Sequence, residues 1–216
     1  VERKKFMKTS LKSAANAEWK DGFPFLGNHV SLDFLNTCPL MNGEPVEMLG
    51  DVPAVARWLR AAGLIGPGDA PSWEWNPPAD ADKQIAALRE FREAFRAEIV
   101  RVEAGEPVSP IFLDRLNEIL RLHAGEDRVA MTREGLVRQR NFALKGPVEA
   151  LGPIADAAAE LLTREDDGRV RKCASCPVQF LDTSKKGTRR WCSMNLCGNR
   201  SKVAAYTLRK QALGGQ

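Results

Sequence analysis

Four cysteines, Cys173, Cys176, Cys192 and Cys197, fall within 25 residues of a 216-residue chain. Their spacing is Cys-x2-Cys, fifteen intervening residues, then Cys-x4-Cys. Two cysteines separated by two residues turn both sulfurs toward one point when the backbone makes a tight knuckle. A second pair, set across a turn or a first helical turn, completes a tetrahedron. Four thiolates favour zinc over hard cations, with iron or a cluster as the alternatives. Two independent redox pairs would compete with this reading, but only the first pair has redox spacing, so one zinc ion is expected. Cys38, the fifth cysteine, is expected to be a small buried apolar side chain.

Positive charge is concentrated in the same segment. From Arg169 onward eleven Lys or Arg stand against a single acid, Asp182, a net +10; the preceding 168 residues hold 21 basic and 27 acidic side chains, a net −6. A merely solvated exterior intersperses both signs, so the clustering points to nucleic-acid phosphates. The candidate contacts are Arg171, Lys172, Lys185, Lys186, Arg189, Arg190, Asn199, Arg200, Lys202, Arg209 and Lys210. Arg200 and Asn199 are the candidates for base edges, because their groups pair bidentately with guanine and adenine. Asn199 could equally cap backbone around the metal site, and the same cations would suit an RNA-binding or protein-docking zinc module.

These side chains need a scaffold. Val178, Phe180 and Leu181 supply apolar groups after the first knuckle, and residues 182–187 are turn material. Arg190-Trp191-Cys192 is expected to return as the second strand, and Ser193 to cap a turn containing Cys197. A helix is expected from Gly198, with Val203 and Tyr206 on its packing side. A core of Phe180, Trp191, Val203 and Tyr206 is small, so a zinc-ribbon or treble-clef-like unit of this size takes much of its folding energy from the metal.

The rest of the chain reads as mainly α. Asp51 caps a helix carrying Val52, Val55, Trp58 and Leu59, ended by Gly63. Ile85, Leu88, Phe91, Phe95, Ile99 and Val102 recur every three or four residues. Ser109-Pro110 starts a further helix with Phe112 and Leu116 inward, and Pro153 a last one. Residues 66–80 form a loop that Trp73 and Trp75 should pin, and 127–145 suggest a hairpin turning near Glu134-Gly135. Leu32-Asp33-Phe34-Leu35 is too short to assign by periodicity. The expected division is an extension over 1–20, a helical domain over 21–166 and the metal-binding domain over 167–216. The polar, acidic run 164–168 is their boundary, with separate cores on either side.

His29, Asp33 and Asn36 form a polar set around that short apolar run and, with Arg57 or Arg92, are the candidate lining of a ligand pocket. Capping or bracing of backbone explains Asp33 and Asn36 equally well. His29 and His123 lie far apart, and no His-Glu-x-x-His, phosphate loop or nucleophile elbow occurs, so no enzyme is expected. At 44% hydrophobic and 28% charged residues the composition is globular. No apolar run approaches the roughly 20 residues of a membrane helix. The lysine-bearing stretch 7–17 leads into Glu18, Lys20 and Asp21 rather than the apolar core of a signal peptide. Cysteine usage fits a reducing compartment, so the expected location is the cytoplasm, away from membranes.

The run Arg189-Arg190-Trp191-Cys192-Ser193-Met194, with Cys197-Gly198-Asn199-Arg200 and Lys202 after it, resembles the signature of the bacterial CGNR zinc-finger family. Phe180-Leu181-Asp182-Thr183-Ser184 matches it too. Leu32-Asp33-Phe34-Leu35-Asn36-Thr37 and the helix from Leu88-Arg89-Glu90 to Phe95 resemble the ABATE domain that usually precedes this finger. One departure is the first cysteine pair, separated only by Ala174-Ser175 where family members often carry a longer insertion. The resemblance implies a helical, ligand-sensing front domain, a zinc finger that binds double-stranded DNA, and a stress-responsive transcription regulator with a small-molecule effector. A homodimer paired through the helical body, with Trp73 or Trp75 in the contact, would enlarge the small footprint of one finger.

Overall fold

The structure, a computed structural model, describes residues 18–41, 43–66, 71–133, 135–164 and 167–213. The expected extension up to residue 17, Glu134 of the hairpin turn, two residues of the boundary run and the side chain of Arg209 lie outside the described residues. Helices make up about half of the chain, and among the described residues the strands form four separate two-stranded antiparallel sheets.

The centre of the body is a helix that periodicity could not reveal. In α1 (Val30–Leu35) all six residues are buried, so there is no polar face to mark a repeat. Around it stand α2 (Val52–Ala61), α3 (Ala81–Glu103), α4 (Pro110–Leu122) and α5 (Leu151–Leu162). Their starts follow from local chemistry. Asp51 accepts a hydrogen bond from the Ala54 amide at 2.8 Å, and Ser109 accepts one from Phe112 at 3.3 Å. Glu98 of α3 in turn takes both the amide and the hydroxyl of Ser109, tying the entry of α4 to its neighbour. Phe91, Phe95 and Phe112 stack with centroids 5.9–6.2 Å apart, and Phe34 of α1 tilts against Trp58 at 5.5 Å.

Small hairpins bracket this core. β1 (Trp19–Lys20) and β2 (Phe23–Pro24) precede α1, and β3 (Leu40–Met41) and β4 (Glu44–Pro45) follow it. The expected hairpin forms as β5 (Glu126–Thr132) and β6 (Gly135–Asn141), in register Thr132 to Gly135. It projects as a ribbon on which Val129, Met131 and Leu136 are exposed. Trp73 pins its loop as expected, buried and donating from Nε1 to the Leu144 carbonyl at 2.9 Å. Trp75 does not: it is 78% exposed. Cys38 is only half-buried.

The last segment departs from the expected separate cores. β7 (Val170–Lys172) pairs with β8 (Gln179–Leu181), and Val170 and Leu181 belong to the main core of the body. The remaining small cluster, Cys173, Val178, Phe180, Cys192 and Cys197, takes Leu26 from the front of the chain. Apolar side chains alternate along a strand, so β8 sends Leu181 one way and Phe180 the other and joins the two cores.

Candidate metal centre and basic surface

The finger is built from its hairpin outward. The Cys173 amide donates to the Val178 carbonyl at 2.9 Å, which closes the knuckle between β7 and β8 and turns Cys173 and Cys176 to one side. The Ala174 amide donates to the Arg190 carbonyl at 2.8 Å, bringing the second cysteine pair alongside. Residues 190–192 do not form the expected second strand: that strand is β8, and 190–192 return as irregular chain held by this contact. Ser193 caps as expected, its hydroxyl accepting from the Leu196 amide at 3.1 Å. The same hydroxyl donates to Glu18, at the front of the chain. A wide helical turn, Met194–Gly198, carries Cys197 and runs directly into α6 (Asn199–Leu213).

The four sulfurs lie within 4.8 Å of one another. Cys192 Sγ is 3.7 Å from Cys176 and 3.8 Å from Cys197. A regular tetrahedron with metal–sulfur bonds of about 2.3 Å separates its sulfurs by about 3.8 Å, so the cage fits a tetrahedral thiophilic ion. Four close thiols cannot all ionise against one another. The Cys192 hydrogen bond draws Cys176 down to about 5, and Cys192 itself is pushed up, first by that bond and then by burial. Burial, then Cys176, pushes Cys197 up to about 12. A bound dication reverses this balance and deprotonates the coordinating thiols.

Asp182, the one acid of the segment, is fully buried and organises the loop after β8. Burial works to raise its carboxyl, but hydrogen bonds from Ser184 and Arg189 outweigh it and hold the group below the usual range. Its oxygens accept from the Ser184 amide at 2.9 Å and the Arg189 amide at 2.7 Å. No spacing rule singles out this residue; its solitude among cations was the available signal.

The basic candidates divide into two groups. Arg171 donates to the Gly187 carbonyl at 2.8 Å, and Arg189 donates to the Cys192 carbonyl while lying 5.2 Å over the Phe180 ring. Both guanidinium groups brace the loops around the cage. Lys172, Lys185, Lys186, Arg190, Asn199, Arg200, Lys202 and Lys210 are exposed. Asn199 reaches back to the Asn195 carbonyl at 3.2 Å, the capping role its position allowed. Val203 and Tyr206 are 64% and 66% exposed, so the expected packing side of α6 is not packed. Among the described residues nothing buries these two side chains of the helix.

The residues of the candidate ligand pocket do not share one set of surroundings. Arg57 is exposed, on the outer side of α2. Arg92 is buried, clamped by both oxygens of Glu47 at 2.8 and 2.5 Å, by Thr37 at 3.0 Å and by Glu93 at 2.9 Å. Asn36 reads the edge of β8: its amide group donates to the Gln179 carbonyl at 3.0 Å and its oxygen accepts the Gln179 amide at 3.2 Å. Alongside, the Gly27 carbonyl accepts from Leu181 at 2.8 Å and Asn28 donates to the Leu181 carbonyl at 2.9 Å. Asn36 thus braces backbone, and what it braces is the finger. Gly27, Asn28 and Gln179 belong to this latch and were not legible as such, since their partners lie some 150 residues away.

Two titrating groups sit behind the latch. Asp33 Oδ1 accepts the Gly27 amide at 2.7 Å, while Oδ2 has no hydrogen-bond partner among the described residues. A Cβ on Gly27 would lie 2.8 Å from the Asp33 amide, so only glycine allows this approach. Burial raises Asp33 to about 7, the Gly27 hydrogen bond offsetting part of the effect. Burial and then the charge of Arg164 lower His29 to about 4, which leaves a neutral ring with Nδ1 2.9 Å from the Ser31 hydroxyl.

A helical body latched to a four-thiol finger, with a basic helix leaving the cage, defines a finger-bearing protein whose cysteine cluster could hold a metal ion. Residues 28–165 match the ABATE family, described as "Putative stress-induced transcription regulator", and residues 169–210 match the CGNR zinc finger. The chain belongs to the ABATE family and carries a CGNR finger at its C-terminal end. Comparison with curated proteins gave no match.

Proposed function

We propose that the chain holds one zinc ion in a treble-clef-like finger, binds double-stranded DNA in the cytoplasm, and regulates transcription in response to a small effector sensed by the helical body. Zinc is favoured by the sulfur–sulfur spacing and the all-thiolate donor set. The treble-clef reading rests on a knuckle between two strands with the last ligand at the start of a helix.

The observation that carries the DNA reading is α6. It has fifteen residues, no acid among them, and exposed Arg200, Lys202, Val203, Tyr206 and Lys210. A surface helix in water normally buries one face; this one buries none of these. The major groove of B-form DNA, about 12 Å wide, admits a bare helix and gives cations phosphates on both sides. Exposed Lys185, Lys186 and Arg190 on the adjoining loops extend the same charge. The reading is one of binding rather than catalysis.

Selection from a random duplex pool at near-physiological salt, with an RNA pool competing, tests it. Enrichment of one duplex motif supports the reading; RNA displacing duplex without enrichment overturns it. A homodimer would enlarge the footprint, and of the two tryptophans first considered only Trp75 is exposed for such a contact. Solution scattering that gives a concentration-independent monomer, with and without DNA, rules the dimer out.

A further inference from the structure

The junction between body and finger holds a cleft. Its volume is about 520 Å³, within the range of small-molecule sites. The last turns of α3 and α5 meet here, and Val170, the first residue of β7, closes the third side. Val102, Val108, Leu161, Leu162 and Val170 supply an apolar floor. Glu103 and Glu106 stand at the rim.

Charge decides what the cleft would accept. Both helices present their C-terminal ends, the negative ends of their dipoles. Glu106 is paired with Arg101 at 3.0 Å. Glu103 has no cationic side chain within ion-pair distance among the described residues; one oxygen accepts the Lys172 amide at 2.7 Å. An apolar hollow with a carboxylate at its lip suits a compact apolar molecule that carries an ammonium group. An anion would meet both carboxylates and the helix ends.

We infer that this junctional cleft is the effector site and that it takes a small apolar amine. The inference deepens the proposed sensing role and rests on it for its biological meaning. Position gives the site a route to the finger. Glu103 holds the β7 backbone, Lys172 directly precedes Cys173, and Val170 lines the cleft itself. An amine seated on Glu103 acts on the same carboxylate that fixes the finger hairpin to α3.

The test uses the zinc-loaded full chain and methyl NMR of Val102, Val108, Leu161, Leu162 and Val170, with no DNA present. Three probes of one shape are titrated: phenethylammonium, neutral phenethyl alcohol and anionic phenylpropionate. The cation should give saturable shifts confined to these methyls, and the alcohol should bind about three- to five-fold more weakly, the scale of one partly exposed ion pair. Glu103→Gln, which keeps an acceptor for Lys172, should bring the cation to the affinity of the alcohol. Val108→Trp, filling the cleft, should remove all binding. Shifts that are absent, unsaturable or scattered overturn the inference, as does equal binding of the anion. Duplex binding is measured separately without probe, so a failed cleft and a failed DNA reading give different results.

Discussion

β8 and α6 lie within one small finger and have opposite surroundings. Gln179, Phe180 and Leu181 are all buried, hydrogen-bonded to Asn36, Asn28 and Gly27 on one edge and to β7 on the other. Arg200, Lys202, Val203 and Tyr206 are all exposed. The difference teaches which half of the finger serves the fold and which carries the proposed contact with DNA. A strand edge buried without hydrogen bonds would be costly, so β8 is fully paired. A helix satisfies its own backbone and can stand unpacked once the wide turn anchors its first residues.

The sharpest way to break this comparison is to remove the metal. Cys192→Ser, or chelation, should abolish metal binding, measured as a fall from about one zinc per chain to none. Because metal-binding free energy is largely folding free energy, roughly 10 kcal/mol or more in finger peptides, β8 should lose its order. With Val170 and Leu181 in the main core, the body should soften too, seen as a lower melting temperature of its helical circular dichroism. A body that melts unchanged would make the finger a passenger and the latch unimportant.

Asp33→Asn probes the latch through pH. The folded value of about 7 lies above the ordinary 3.8, so the native state holds the extra proton and is favoured at low pH. That contribution is lost as pH rises through about 7. The asparagine variant should therefore gain stability relative to the parent between about pH 4 and 7, by roughly 2–4 kcal/mol, and level off above. His29 has the opposite sign: its folded value of about 4 lies below 6.5, so its contribution is present above 6.5 and lost as pH falls toward 4. Urea denaturation across this range reads both slopes, and a variant that tracks the parent at every pH would refute the assignment to Asp33.

Asn36→Ala should cost about 2–3 kcal/mol in urea denaturation, since two hydrogen bonds go and the buried Gln179 backbone loses its partners. Metal content and duplex affinity of the folded protein should stay at parental levels. Arg200→Ala should do the reverse. Stability should change by less than about 0.5 kcal/mol, as for exposed sites generally, while discrimination between preferred and random duplexes falls by about 1–3 kcal/mol. Equal losses on both would place Arg200 on phosphate. The smallest effect is expected from Lys185→Ala with Lys186→Ala, which should lower the salt dependence of binding by about two counterions without altering site preference.

Much of the molecule was legible from local signals. The thiol cage follows from spacing, because a knuckle and a helical turn are short-range geometry. The caps at Asp51, Ser109 and Ser193, the α3 stripe and the hairpin over 126–141 follow from residue type and period for the same reason. α1 is hidden because burial on every side erases its period, and residues 190–192 resemble a strand because an irregular return and a strand share the same apolar-basic pattern.

What only the tertiary structure decided is where the polar and charged groups are spent. Asp33 and Asn36 carry side chains suited to a ligand, a cap or a brace, and the choice was made by a strand placed against them from the far end of the chain. Loop carbonyls within the finger took Arg171 and Arg189, while Val203 and Tyr206 stay exposed, though composition treats each pair alike. The sequence by itself determined a metal cage, a helical body and the sign of each segment's charge, because these depend on residue type and near neighbours. Which polar side chains hold the finger to the body depends on contacts across about 150 residues of chain, and no local pattern encodes those.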